Sequence, residues 1–157
     1  MKLIVKQVKT THWLDLYDIF DEDNKVVYTV KQELSWGKKF IFYNSNKKEV
    51  AYIHEKAISL LPAYEIFIDN KKVGEIKQKM SITKNMYECD FAELEIENDI
   101  WSFDYKIKRK GQEIAKITEK AITWTDTYTI EGNEEDIFNI LLVVIVIDID
   151  NNKNTNK

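Results

Sequence analysis

Apolar and polar residues alternate with a period of two along most of this chain, the spacing of strands that lay one face on a core. Leu3, Val5 and Gln7 point one way at the start, while Lys2, Ile4 and Lys6 point the other. Residues 14–20 and 26–30 then flank Asp21, Glu22, Asp23, Asn24 and Lys25, two β-rich runs around a short polar turn. The unit recurs three times. Residues 39–43 and 49–54 flank a turn at 44–47, residues 64–68 and 72–78 flank Asp69 and Asn70, and residues 101–108 and 113–118 flank Lys110 and Gly111. Residues 86–96 supply a less regular strand or two. Only four Gly and one Pro are present, so the breaks depend on Asn, Asp and Lys.

Part of the pattern is duplicated. Residues 49–59 return as residues 113–123 at a constant offset, which maps Tyr64 onto Tyr128 and Ile66 onto Ile130. A fixed offset of this kind marks a repeated supersecondary unit. A second rhythm links the hairpins: Ser35-Trp36 leads to Phe40, Ser59-Leu60 to Tyr64, and Thr123-Trp124 to Tyr128. These large residues read as anchors where a strand turns back over the core, because aromatics dominate core packing, with a set of exposed aromatic binding corners as the functional alternative. On that basis Trp36, Tyr64, Trp124 and Tyr128 are assigned to the core.

The period changes once. From Ile137 to Ile147 the sequence is apolar except for Asn139. Gly132 and Asn133 precede it, with Asp136 three residues after Asn133, the spacing of a capping box. Glu134, Glu135 and Asp136 suit the positive end of a helix dipole. The spacing predicts a helix over about 134–148, with a buried strand as the competing reading because of its β-branched content. Such a helix is apolar all round and must be surrounded, with Phe138, Leu141, Leu142 and Ile145 in the core. A bilayer needs about 20 apolar residues, roughly twice what this run offers. Wrapping it in the sheet gives a mainly β fold: a closed antiparallel barrel of about twelve strands around a central hydrophobic helix. Closure also removes exposed edge strands. Residues 1–150 form one such domain, and the polar residues 151–157 read as a disordered tail.

Composition narrows the function classes. A chain of 157 residues suits one domain, and a net charge of −4 gives no global pull toward nucleic acid. Cys89 is the one cysteine, so no internal disulfide forms and a reducing compartment fits. The first residues lack the long apolar core of a signal peptide. A cytoplasmic protein without a transmembrane span is expected.

Several stretches carry a family likeness. They are the hairpin over 17–31, Leu34-Ser35-Trp36-Gly37, Leu61-Pro62-Ala63-Tyr64-Glu65-Ile66, the run 122–128, and the apolar segment ending in Asp148. In this order and spacing the chain resembles the LURP-one-related family, specifically its short bacterial members. That family sits in the tubby C-terminal-like superfamily with the phospholipid scramblases. The resemblance implies a twelve-stranded barrel around a hydrophobic helix and no established enzymatic activity. Tubby domains bind phosphoinositide headgroups through basic residues on the barrel wall, which makes anionic lipid a partner to consider.

Candidate chemistry is sparse. His12 and His54, with Cys89, fall short of a zinc ligand set, and no ligand spacing is visible. Cys89 lies between Glu88 and Asp90, without the positive setting that activates a thiol. No phosphate loop or nucleophile elbow appears, so no catalytic residue, metal or cofactor is expected. Lys106, Lys108 and Lys110 alternate on one strand, and Lys71 and Lys72 belong to a second cluster. These five are the candidate binding residues for an anionic headgroup or protein partner on the outer wall. The competing role is plain solubility of an outer face. Asp148 and Asp150 follow the helix and are expected to be solvated at the barrel mouth or paired with lysine. The alternative function is a small-molecule carrier or enzyme with a pocket at a barrel end.

Overall fold

The structure, a computed structural model, describes residues 1–8, 15–80, 86–98, 104–120 and 127–155. Twelve strands precede one helix: β1 (Lys2–Gln7), β2 (Asp15–Phe20), β3 (Val26–Ser35), β4 (Gly37–Asn44), β5 (Glu49–Glu55), β6 (Ala63–Ile68), β7 (Lys71–Lys79), β8 (Met86–Asp90), β9 (Glu95–Asn98), β10 (Tyr105–Arg109), β11 (Gln112–Lys120), β12 (Thr127–Gly132) and α1 (Ile137–Thr155). They form one antiparallel sheet in the order β8-β7-β6-β5-β4-β3-β2-β1-β12-β11-β10-β9. The first strand pairs with the last, Val5 opposite Tyr128, which curls the sheet around the helix. Among the described residues β8 and β9 lie side by side without a hydrogen-bonded ladder, so the barrel is nearly closed, with one seam. A tight turn joins them, Leu94 N–H to Phe91 carbonyl at 3.0 Å, with Ala92 and Glu93 at φ 53° and 56°.

Alternation sets the two faces of this sheet. Leu3, Val5, Ile53, Ile66, Ile117 and Ile130 point inward and are buried, while their sequence neighbours face out. Because successive strands are antiparallel, the connections fall into two groups. The short turns after β2, β4, β6, β8 and β10 gather at one end, here the turn end. Asn24, Lys47, Asp69, Asn70 and Lys110 hold left-handed φ there, the chemistry that replaces glycine. The odd-numbered strands end, and the even-numbered ones begin, at the opposite end. Since α1 follows β12, it starts at the turn end and leaves through that opposite, exit end.

The helix fills the barrel. Ile140 to Val146 are wholly buried, so no side of these two turns meets water. Packing from all directions overrides the weak helix propensity of Val and Ile. Phe138 is half-buried, its ring 5.1 Å from Tyr28 and edge-on to Phe42 at 6.4 Å. Asn139 is half-buried near the same end.

Three expectations need correction. The helix starts three residues later than the capping-box spacing predicts. Asp136 is the cap: its carbonyl receives Ile140 N–H at 3.0 Å, while its own N–H closes a turn on Asn133. Arg109 fixes that position, donating to both Asp136 oxygens at 3.0 and 3.3 Å and to the Ala92 carbonyl at 3.2 Å. The helix also runs on to Thr155, through residues read as a disordered tail. Asp148 and Asp150 therefore lie inside it, buried, rather than solvated at its end. Finally, Trp36 is not core: it is 82% exposed, because it sits at the tip of the β3–β4 corner and the chain turns inward only at Phe40.

Candidate functional site

The exit end holds the two features most distinct from ordinary packing. One is a polar collar inside the barrel. Tyr64 of β6 and Tyr87 of β8 donate their hydroxyls to Asp150 Oδ1 and Oδ2 at 2.8 and 2.6 Å. Gln78 Nε2 adds a longer contact at 3.4 Å. Tyr17 of β2 and Tyr128 of β12 donate in short hydrogen bonds to the two oxygens of Asp148, with Asn152 Nδ2 at 3.2 Å. Burial, reinforced by the adjacent aspartate charge, pushes the Tyr64 and Tyr128 phenols far above their ordinary range, so they remain donors. Tyr105 is raised for the same reasons, burial first and Asp148 second.

The sequence repeat builds this collar. The β5–β6 and β11–β12 hairpins stand six strands apart, on opposite sides of the barrel. Their equivalent residues Tyr64 and Tyr128 hold different aspartates. β8 and β2 are also six strands apart, and supply Tyr87 and Tyr17 in matching roles. Two residues along a helix turn a side chain by about 200°, close to the half-turn between these sides. Asp148 and Asp150 are spaced to meet both halves. At 1–2% exposure the carboxylates are sealed from substrate, so the arrangement clamps the helix and offers no reactive group to solvent.

The second feature is an apolar rim. Among the described residues, six of the nine exposed large apolar side chains stand at the exit end: Leu34, Trp36, Ile58, Leu60, Met80 and Met86. They project from the β3–β4 corner, the β5–β6 connection and the ends of β7 and β8. Ser35 and Ser59 donate to the carbonyls of Gly37 and Leu61, tightening two of these corners. Lys38 pairs across the ladder with Leu34, and Lys79 with Met86, so cations stand among the apolar tips.

The residues singled out from sequence are dispersed. On the outer wall Lys106 reaches Glu113 at 3.1 Å, and Lys108 makes a close ion pair with Glu97. Lys72 bridges Glu65 at 2.9 Å and Glu75 at 3.4 Å. Lys71 is exposed at the start of β7, and Lys110 lies in the turn before β11 at φ 51°. Tyr64, Tyr128, Leu141, Leu142 and Ile145 are buried. His12 and Trp124 lie outside the described residues. Cys89 is half-buried; burial pushes its thiol up to about 11, which leaves it protonated at neutral pH. Among the described residues no group of His, Cys, Asp and Glu is arranged to hold a metal ion. A cavity of 210 Å³ lies at the turn end between Lys48, Tyr52, Asp69 and Asn70, with no helix residue in its lining. The collar escaped sequence reasoning, whereas two rim residues, Trp36 and Leu60, belong to the corners whose alternative reading was exposed binding. The clearest available signal for the collar was the repeat itself, which pairs Tyr64 with Tyr128.

A nearly closed twelve-stranded barrel threaded by its own C-terminal helix defines the class of fold. The chain belongs to the LURP-one-related family, whose model matches residues 1–148. It is 28% identical over 151 residues to the uncharacterised protein YxjI of Bacillus subtilis strain 168, covering 95% of this chain and 93% of that one. A protein of Arabidopsis thaliana solved by X-ray crystallography has the same fold, with a TM-score of 0.58 at 16% identity, covering 95% of this chain and 91% of that one. No helix among the described residues is long and apolar enough to cross a membrane.

Proposed function

We propose that this domain is a non-catalytic docking module that meets an anionic bilayer surface with the exit end of its barrel. The observation that carries the reading is the concentration of exposed Leu34, Trp36, Ile58, Leu60, Met80 and Met86 at that end. Separate apolar tips, one of them a tryptophan, beside Lys38 and Lys79, match the chemistry of a headgroup interface: apolar side chains enter the acyl boundary and ammonium groups stay with the phosphates. The wall lysines support the reading less well, because Lys72, Lys106 and Lys108 are already matched with glutamates of their own or neighbouring strands. A carrier with an internal pocket has less support still, since the helix fills the interior.

Co-sedimentation of the full chain with neutral phosphatidylcholine vesicles, and with vesicles containing phosphatidylserine or phosphoinositide, at low and high salt, tests this. The paired change Trp36→Ala with Leu60→Ala is expected to weaken partitioning about tenfold or more, since each tip loses most of its apolar area. Lys106→Glu with Lys108→Glu is expected to leave it nearly unchanged. The reverse ranking would move the site to the wall. No binding to any vesicle would overturn the membrane reading and direct the search to a protein partner for the same rim.

A further inference from the structure

Trp36 is exposed, yet the corner that carries it has no slack. Ser35 and Gly37 form the last pair of the β3–β4 ladder, so a single residue turns the chain. Ser35 Oγ donates to the Gly37 carbonyl at 2.7 Å. Gly37 sits at φ 78°, and a Cβ there would lie 2.3 Å from the Glu55 carbonyl oxygen and 3.0 Å from His54 Nε2. The Trp36 carbonyl meets that same His54 Nε2 at 3.0 Å. The other ring nitrogen, Nδ1, faces Glu65 Oε1 at 3.4 Å.

Both partners of the ring are acceptors: a backbone carbonyl on one side, a carboxylate on the other. A neutral imidazole has one N–H. Either tautomer therefore satisfies one partner and turns a lone pair toward the other. Only the doubly protonated ring donates to both. We propose that His54 is a pH-responsive mount for Trp36: on taking its second proton it ties the Trp36 corner to Glu65 on the wall and strengthens docking of the exit end. This rests on the docking reading above and assigns its regulation.

The charges around the ring come from every neighbouring strand. Glu65 lies opposite on β6 and is itself held by Lys72 of β7 at 2.9 Å. Lys39 lies opposite on β4, with its ammonium 4.2 Å over the Tyr52 ring. Glu55 and Lys56 follow on and after β5, and Lys56 pairs with Glu75 at 2.8 Å. The carboxylate in direct reach of the ring is Glu65, which a doubly protonated ring meets with an N–H while it also donates to the Trp36 carbonyl. Trp36 then projects from a corner fastened on both sides, and less conformational freedom is lost when it docks.

The test compares wild type, His54→Gln and Glu65→Gln. Partitioning onto phosphatidylcholine–phosphatidylserine vesicles is measured at about pH 5.5 and about pH 8. Wild type is expected to bind about tenfold more strongly at the lower pH, the ratio of one charge-assisted hydrogen bond. Both variants are expected to show a much flatter profile. A flat wild-type profile, or an equally steep one in His54→Gln, overturns the mount while leaving docking intact. If wild type binds at neither pH, the docking reading fails. The mount is then decided by NMR: the Trp36 indole N–H signal must move with pH at the same midpoint as the His54 ring, and must stop moving in His54→Gln. An indole signal indifferent to His54 overturns the proposal.

Discussion

Removing the tyrosine hydroxyls from Asp150 should destabilise the domain, and removing the carboxylate as well should restore it. Asp150 is 1% exposed and takes its two short hydrogen bonds from Tyr64 and Tyr87. A hydrogen bond to a charged group contributes about 1.5–3 kcal/mol net. Tyr64→Phe and Tyr87→Phe should therefore each cost about 2 kcal/mol. In a chain of this size that lowers the melting temperature by about 4–8 °C. The double variant leaves a buried carboxylate with only the longer Gln78 contact, and should cost about 4 kcal/mol or more. Adding Asp150→Leu to the double variant replaces both sides of the interaction with apolar groups. Such replacement is often neutral, so the triple variant should return to within about 1–2 kcal/mol of wild type. Urea unfolding followed by tryptophan fluorescence reads the four variants and wild type. A triple variant less stable than the double would refute the reasoning, because the loss would then come from packing rather than from a stranded charge.

Three further outcomes are expected. Leu142→Asp puts an unpaired charge at the barrel centre and should abolish folding, read as loss of the native circular dichroism spectrum and melting transition; a variant with native values would rule out the central-helix packing. Gly74→Ala should cost more than about 2 kcal/mol, because its Cβ would meet the Asp90 carbonyl oxygen at 2.4 Å and Phe91 Cβ at 2.6 Å where β8 leaves β7; wild-type stability by urea titration would contradict that close approach. Acid should weaken the wall network. The Lys72 hydrogen bond holds Glu65 below the usual carboxylate range, and Glu75 is also lowered because Lys56 and Lys72 outweigh the opposing effect of burial. Their folded values are depressed, so their stabilisation is complete above the unfolded carboxylate value and is lost as pH falls through the folded values. Glu65→Gln with Glu75→Gln should therefore melt lower than wild type at neutral pH and converge with it in acid; parallel curves down to about pH 3 would contradict this.

The barrel was legible because alternation, polar turns and one fully apolar helix are each local signals. The helix ends were not. Asn133 offers a capping sequence, but Arg109 from another hairpin selects Asp136, and a spacing rule does not see that partner. Asp148 looked like a helix terminator because its partners Tyr17 and Tyr128 lie 131 and 20 residues away. Trp36 was misread for a related reason: large aromatics usually pack inside, and composition does not distinguish the tip of a corner from the residue that follows it inward. The wall lysines formed a pattern on their own strands, while the glutamates that match them, Glu97 and Glu113, come from the strands on either side of β10.

The two carboxylates also solve a problem of alignment. A rod that is greasy on every side fits a greasy bore at many angles and depths, with little to choose between them. Ile, Leu and Val around the whole circumference of α1 provide adhesion without a bearing mark. Asp148 and Asp150 supply it: turning the rod, or sliding it by one helical pitch of about 5.4 Å, would carry both charges off their phenols into hydrocarbon. The polar pair thereby indexes the shaft in its housing. A barrel whose inner wall is nearly uniform oil can still assemble with one setting.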